Sequence, residues 1–149
     1  MASNLSLVKK IFIRNKKFSK GELGFLECED DIPFNIKRVF YNLGTKKNQI
    51  RGNHAHHYCY ELLITLKGSL RVICSDGSSK KVYQLNHPYE GLLIPPLIWS
   101  EQHYLSEESI LLVLSDYKYD EEEYIRDYDN FLIIVNNLNS QDNLNNKLI

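Results

Sequence analysis

The run Arg51-Gly52-Asn53-His54-Ala55-His56-His57 holds three of the chain's five histidines within four positions. Imidazole titrates near neutral pH and is also a common metal ligand, so the cluster suits proton transfer or metal binding. On a strand, alternation sends His54 and His56 to one face and His57 to the other. His57 is therefore read as surface. Two imidazoles projecting into the mouth of a small barrel need a rigid frame around them.

The surrounding sequence supplies short β-rich runs separated by turn residues. Strands are expected at Lys9–Arg14, Gly24–Glu27, Ile36–Leu43, Tyr60–Leu66, Leu70–Ser75, Lys81–Leu85, Gly91–Ile94 and Ile110–Ser115. Lys67-Gly68-Ser69 and Asp76-Gly77 supply sharp turns between several of them. Short strands at this spacing, with no helical pattern between them, argue an all-β sandwich or barrel. The acids Asp120 to Glu123 precede Ile125 and Phe131, as a helix start prefers, so a short helix or two is expected from Glu121 to about Asn137. The reading is a single domain over 1–137, then a polar Asn-rich tail over 138–149 that frays.

Size and composition agree. A chain of 149 residues with 43% hydrophobic and 25% charged side chains can build one core. Eighteen Lys plus Arg against nineteen Asp plus Glu leave a net charge of −1, with no basic excess for nucleic acid or a membrane surface. Apolar runs such as Ile110–Leu114 fall far short of the ~20 residues a spanning helix needs. The first ten residues lack the apolar core of a signal peptide, so the expected location is cytoplasmic. Cys28, Cys59 and Cys74 form no spaced pair and are read as small buried hydrophobes.

The spacing His54-x-His56, then Glu61, then Gly68 resembles the first motif of the cupin β-barrels. There two His and a Glu are metal ligands, joined by a His on a later strand. The segment from Gly91 through Pro95, Pro96 and Trp99 resembles the second motif, but Ser100 stands at the fourth ligand's place and His103 lies three positions on. Nearly the whole chain, Lys9 to Phe131, resembles the cupin-fold nucleotide-sugar 3,4-ketoisomerases acting on dTDP-4-keto-6-deoxyglucose. The matching blocks are Ile32 to Val39, Arg51 to His56, Leu66 to Ser69, Asp76-Gly77, Pro96 to Trp99 and Tyr119 to Phe131. The Arg-Gly-x-His core also recurs in the related sugar 3,5-epimerases.

That resemblance implies a cupin-type jelly-roll barrel with a short C-terminal helix, a dTDP-linked 4-keto-6-deoxyhexose as substrate, and a homodimer with exchanged strands. It implies catalysis with no metal and no cofactor. Removing the C3 proton of the sugar calls for a base of near-neutral pKa, and His54 is the candidate, with His56 its partner on the same face. Tyr41 is a candidate donor or relay and His103 another. Arg51 and Arg38 are expected to grip the pyrophosphate. Glu61 stands where relatives usually carry Gln, and either orients an imidazole or joins His54 and His56 as a ligand. Lys20-Gly21 lies in a loop near the sugar in that family, and its small second residue favours the galacto product. The alternatives are an epimerase on the same barrel and a non-catalytic or metal-binding cupin.

Overall fold

Leu70, Val72 and Cys74 are buried while Arg71 between them is exposed, the period of two that one covered sheet face imposes. Glu61–Lys67 reads differently, because Leu62, Leu63 and Ile64 are all buried. Such a strand has core on both sides. The computed structural model describes residues 3–145 and shows both patterns at work. In chain order the strands are β1 (Lys9–Phe12), β2 (Arg14–Phe18), β3 (Gly21–Phe25), β4 (Arg38–Thr45), β5 (Ile50–His56) and β6 (Glu61–Lys67). They continue with β7 (Leu70–Ser75), β8 (Lys80–Leu85), β9 (Glu90–Ile94), β10 (Trp99–Tyr104), β11 (Ser109–Ser115) and β12 (Tyr124–Ile125), and helix α1 (Tyr128–Asn145) closes the chain.

Two five-stranded sheets are formed, β1-β9-β6-β11-β4 and β12-β5-β10-β7-β8, with every strand pair antiparallel. Their inner faces share one core of Leu63, Leu92, Leu111 and Val113 from the first sheet with Leu70, Val72, Leu85 and Tyr104 from the second. This is the all-β, cupin-type barrel expected. A second cluster lies on the outer face of the first sheet, where Ile32 and Phe34 cover Leu62, Ile64 and Leu93. A third joins α1 to the outer face of the second sheet, with Phe131 and Val135 against Ala55 and Trp99. The β2–β3 hairpin forms a two-stranded sheet of its own. Among the described residues no helix is long and apolar enough to cross a membrane.

Several expectations are corrected. The acids at Glu121–Glu123 open a single 3-10 turn capped by Asp120, not the helix. The helix starts at Tyr128, where the Asp127 carboxylate accepts from the Asn130 amide at 2.7 Å. It then runs past Asn137 to Asn145, so much of the segment expected to fray is helical, and 146–149 lie outside the described residues. Leu138 gives the reason, since it packs against the third cluster. Cys59 and Cys74 are buried free thiols as expected, whereas Cys28 is exposed.

Candidate active site

The site begins with a defect in β5. Gly52 and Asn53 both have positive φ, 79° and 56°, and the β5–β10 register shifts between Ser100 and Glu101. This is a β-bulge, and it re-aims the chain just before His54. A Cβ on residue 52 would lie 2.8 Å from the Ser100 carbonyl oxygen, so the glycine of Arg-Gly-x-His answers to both conformation and space. Asn tolerates the left-handed region better than most residues.

Beyond the bulge, alternation holds, and His54 and His56 share the inward face. Their rings meet edge to face at 5.0 Å and 88°. The first residue of β6 brings Glu61 up to them, with His56 Nε2 3.3 Å from Glu61 Oε1. From the inward row of β4, Arg38 sets a guanidinium nitrogen 3.6 Å from the same carboxylate oxygen. Glu61 and His56 are buried. Among the described residues, neither ring nitrogen of His54 or His56, nor Glu61 Oε1, nor Arg38 Nε meets a partner in hydrogen-bond geometry. Buried polar groups are ordinarily satisfied, so this cluster of orphans is built to receive a polar ligand.

The charges follow from the packing. Burial holds the His54 imidazole below its ordinary pKa, with the Glu61 charge pulling the other way. Burial alone would raise the Glu61 carboxyl; contact with His56, the imidazole charges and Arg38 outweigh it and keep the carboxyl low. Lowered in this way, the His54 ring is free to accept a proton, as a general base requires.

The structure also brings in a residue that the sequence reading gave no role. Strand β12 pairs Tyr124 with His56, and the Tyr124 ring lies 4.4 Å from the His56 ring and 5.0 Å from that of His54. The Arg126 guanidinium lies over the Tyr124 ring at 4.2 Å. Its guanidinium donates to both carboxylate oxygens of Glu121, which accepts from the Tyr119 hydroxyl as well and is held down to about 2. The signal was present in the Tyr119–Phe131 block, but a two-residue strand behind three acids has no periodicity to reveal its facing.

The remaining expected residues divide. Arg51 lies opposite Gln102 on the row that leads to His54, and its side chain is exposed at the rim. Tyr41 does not join the cluster. On β4 it points to the opposite face from Arg38, Phe40 and Asn42 and is 64% exposed. His103 faces outward beside Arg71, with its Nε2 3.1 Å from Glu101, on the face opposite Ser100 and His54. Lys20 and Gly21 sit at the exposed turn of the β2–β3 hairpin, outside the imidazole cluster. His57 is half-buried, and its amide donates to the Glu123 carbonyl. Ser100 is buried directly across from His54.

Donor atoms of His54, His56 and Glu61 all lie within 4.8 Å of one another, and the three can therefore offer a cation one ligand each. Arg38 lies 3.6 Å from the same carboxylate, and Ser100 pairs across from His54.

A cupin-type barrel with paired imidazoles, an ionised carboxylate and arginines at its mouth defines a barrel equipped for acid–base chemistry. The chain belongs to the family whose model is described as "FdtA: WxcM-like, C-terminal", which matches residues 5–136. It is 41% identical over 121 residues to the TDP-4-oxo-6-deoxy-alpha-D-glucose-3,4-oxoisomerase of Aneurinibacillus thermoaerophilus, covering 81% of this chain and 87% of that one. Among solved structures it resembles a 3,4-ketoisomerase from Helicobacter canadensis, with 41% identity, a TM-score of 0.85 and coverage of 87% of this chain and 98% of that one. It also resembles QdtA, a sugar 3,4-ketoisomerase from Thermoanaerobacterium thermosaccharolyticum in complex with TDP. That match has 36% identity, a TM-score of 0.86 and coverage of 90% and 98%.

Proposed function

We propose that the protein is a sugar 3,4-ketoisomerase that converts dTDP-4-keto-6-deoxyglucose to a dTDP-3-keto-6-deoxyhexose. The observation that carries this reading is His54, a desolvated imidazole with no hydrogen-bond partner, facing a cluster of unmet polar groups. His54 takes the C3 proton, which is acidic because it lies α to the C4 carbonyl. The electrons move into the C3–C4 bond and the C4 oxygen takes a proton, giving an enediol. The C3 hydroxyl then gives up its proton, the ketone forms at C3, and a proton is delivered to C4. Two protons leave and two return, so the reaction needs no oxidant. His56 and Glu61, 3.3 Å apart, are the pair for the oxygen-bound protons, and Arg38 beside them steadies negative charge on the enediolate. Arg51 at the rim is the choice for the pyrophosphate.

The reading includes a homodimer with exchanged strands. Edge strand β4 exposes Val39, Tyr41 and Leu43, and the hairpin exposes Phe18 and Leu23. Unpaired edges and apolar patches of this kind invite a second copy. The Lys20-Gly21 turn would meet a sugar only across such an interface, and there it would favour the galacto product. A ketone at C3 suits a following aminotransferase that builds a 3-amino-3,6-dideoxy sugar.

Incubation with dTDP-4-keto-6-deoxyglucose and NMR identification of the product tests the reading. A 3-keto sugar supports it, and the C4 proton couplings report the configuration. A C3 or C5 epimer with the ketone still at C4 would make the protein an epimerase. Sedimentation at micromolar concentration is expected to give a dimer, and a monomer would remove the exchanged-strand arrangement.

A further inference from the structure

The ring nitrogens of His54 have no hydrogen-bond partner among the described residues. A catalytic imidazole is ordinarily aimed by a carboxylate or carbonyl on its second nitrogen, as in the Ser-His-Asp arrangement. Here the Gly52 carbonyl lies near enough to favour the protonated ring, but no donor–acceptor geometry fixes it. The aim of the ring must therefore come from packing. Two rings supply it, that of His56 at 5.0 Å and 88° and that of Tyr124 at 5.0 Å and 63°.

Tyr124 can serve only if its own place is fixed. It sits on β12, two residues at the edge of the second sheet, and a pairing so short is weak alone. Glu123 secures it. This carboxylate is buried, and one of its oxygens accepts from the amides of Tyr58 at 2.5 Å and Cys59 at 2.6 Å. Its carbonyl accepts from the His57 amide at 3.0 Å. The same residue thus ties the turn leading from His56 to Glu61 onto the strand carrying Tyr124. Arg126 lies over the Tyr124 ring at 4.2 Å, and Ile125, the next residue of β12, is buried against the helix.

We propose that Glu123 and Tyr124 are positioning residues, a strap whose carboxylate clamps the His56–Glu61 turn and whose ring holds the two imidazoles at their working angle. The proposal rests on the ketoisomerase reading for its kinetic readout and on ring geometry alone for its spectroscopic one. The Tyr124 ring does this positioning; its hydroxyl, which meets Arg38, is not needed for it. The Glu123 oxygen does it by accepting two amide hydrogens, which a Gln carbonyl also does.

The experiment compares Tyr124→Phe, Tyr124→Leu, Glu123→Gln and Glu123→Ala with wild type. It reads kcat and KM on dTDP-4-keto-6-deoxyglucose, thermal melting, and the ring-proton NMR of His54. Misplacing a reacting group by about 1 Å can cost ~10²-fold, so Tyr124→Leu and Glu123→Ala are expected to lose at least ~10-fold in kcat, with KM within about threefold. Their His54 ring signals broaden and lose the nuclear Overhauser contacts to residue 124. Tyr124→Phe and Glu123→Gln are expected to restore sharp His54 signals and most of kcat. Should Glu123→Ala not fold, the Tyr124 pair and Glu123→Gln still decide the matter. The proposal is overturned if Tyr124→Leu keeps wild-type kcat and His54 spectra, or if Tyr124→Phe is as impaired as Tyr124→Leu. If wild type shows no turnover, the ketoisomerase reading fails, while the spectra still test the strap.

Discussion

The barrel's interior has two unlike ends. At one, Leu63, Leu70, Leu85, Leu92 and Leu111 are wholly buried, apolar and in mutual contact. At the other, His54, His56, Glu61 and Arg38 face inward with polar atoms that find no partner. The same two sheets furnish both, and the difference lies in which residues occupy the inward positions. One end stores stability, because burying apolar surface is favourable and needs no partner. The other spends some of it, since each unmet buried polar group costs free energy until a ligand answers it.

Breaking each end should therefore produce opposite symptoms. His54→Asn is expected to lower turnover by ~10³-fold, near the upper part of what a general base contributes, while leaving the melting temperature where it was or higher. Leu63→Ala is expected to cost about 2–5 kcal/mol of stability and keep turnover per folded molecule. Thermal melts and turnover measured on both variants would check the separation. Comparable loss of both properties in either variant would mean that the two ends are one.

Gly52→Ala sharpens the comparison at the joint between strand and site. The added Cβ would meet the Ser100 carbonyl at 2.8 Å in a backbone at φ 79°. The strain should cost about 1–3 kcal/mol and move His54, so melting temperature and kcat are both expected to fall. A variant with unchanged kcat would free the bulge from any role in aiming His54.

The smallest expected effect is the response to acid. His54 and Glu61 are both held below their ordinary values. For each, the unfolded chain binds a proton more readily than the folded one, so falling pH favours unfolding. Stability should decline as pH drops below about 6.5 from His54, and decline further below about 4.5 through the depressed Glu61 range. His54→Asn should flatten the first part of that decline, measured by denaturant melts across pH. The acid limb of kcat/KM should likewise lie below the ordinary imidazole range, because the base stays neutral there.

Much of this was readable before the fold. The strand at Leu70–Ser75 and the shared facing of His54 and His56 were both readable, and both hold. Strand β10 was harder to read, because Ser100 and Gln102 are polar where its inward face meets the site, which erases the apolar alternation. Tyr41 and Tyr124 show the same limit. Tyr124 lies inside a matching block and Tyr41 just beyond one, but only the β4 alternation and the β12 pairing decide that Tyr41 faces outward and Tyr124 faces the imidazoles. The length of α1 was hidden because an Asn-rich stretch has weak helix propensity, and the anchoring contact at Leu138 is tertiary.

The central claim is that the polar end moves a proton from C3 to C4 through His54. The most direct measurement is proton NMR of dTDP-4-keto-6-deoxyglucose with the enzyme in deuterium oxide, for wild type and for His54→Asn. The account predicts that wild type removes the C3 proton signal and yields a sugar with its ketone at C3, while His54→Asn leaves the C3 signal intact. A product still bearing its C4 ketone with exchange at C5, or wild-type loss of the C3 signal in His54→Asn, would contradict it.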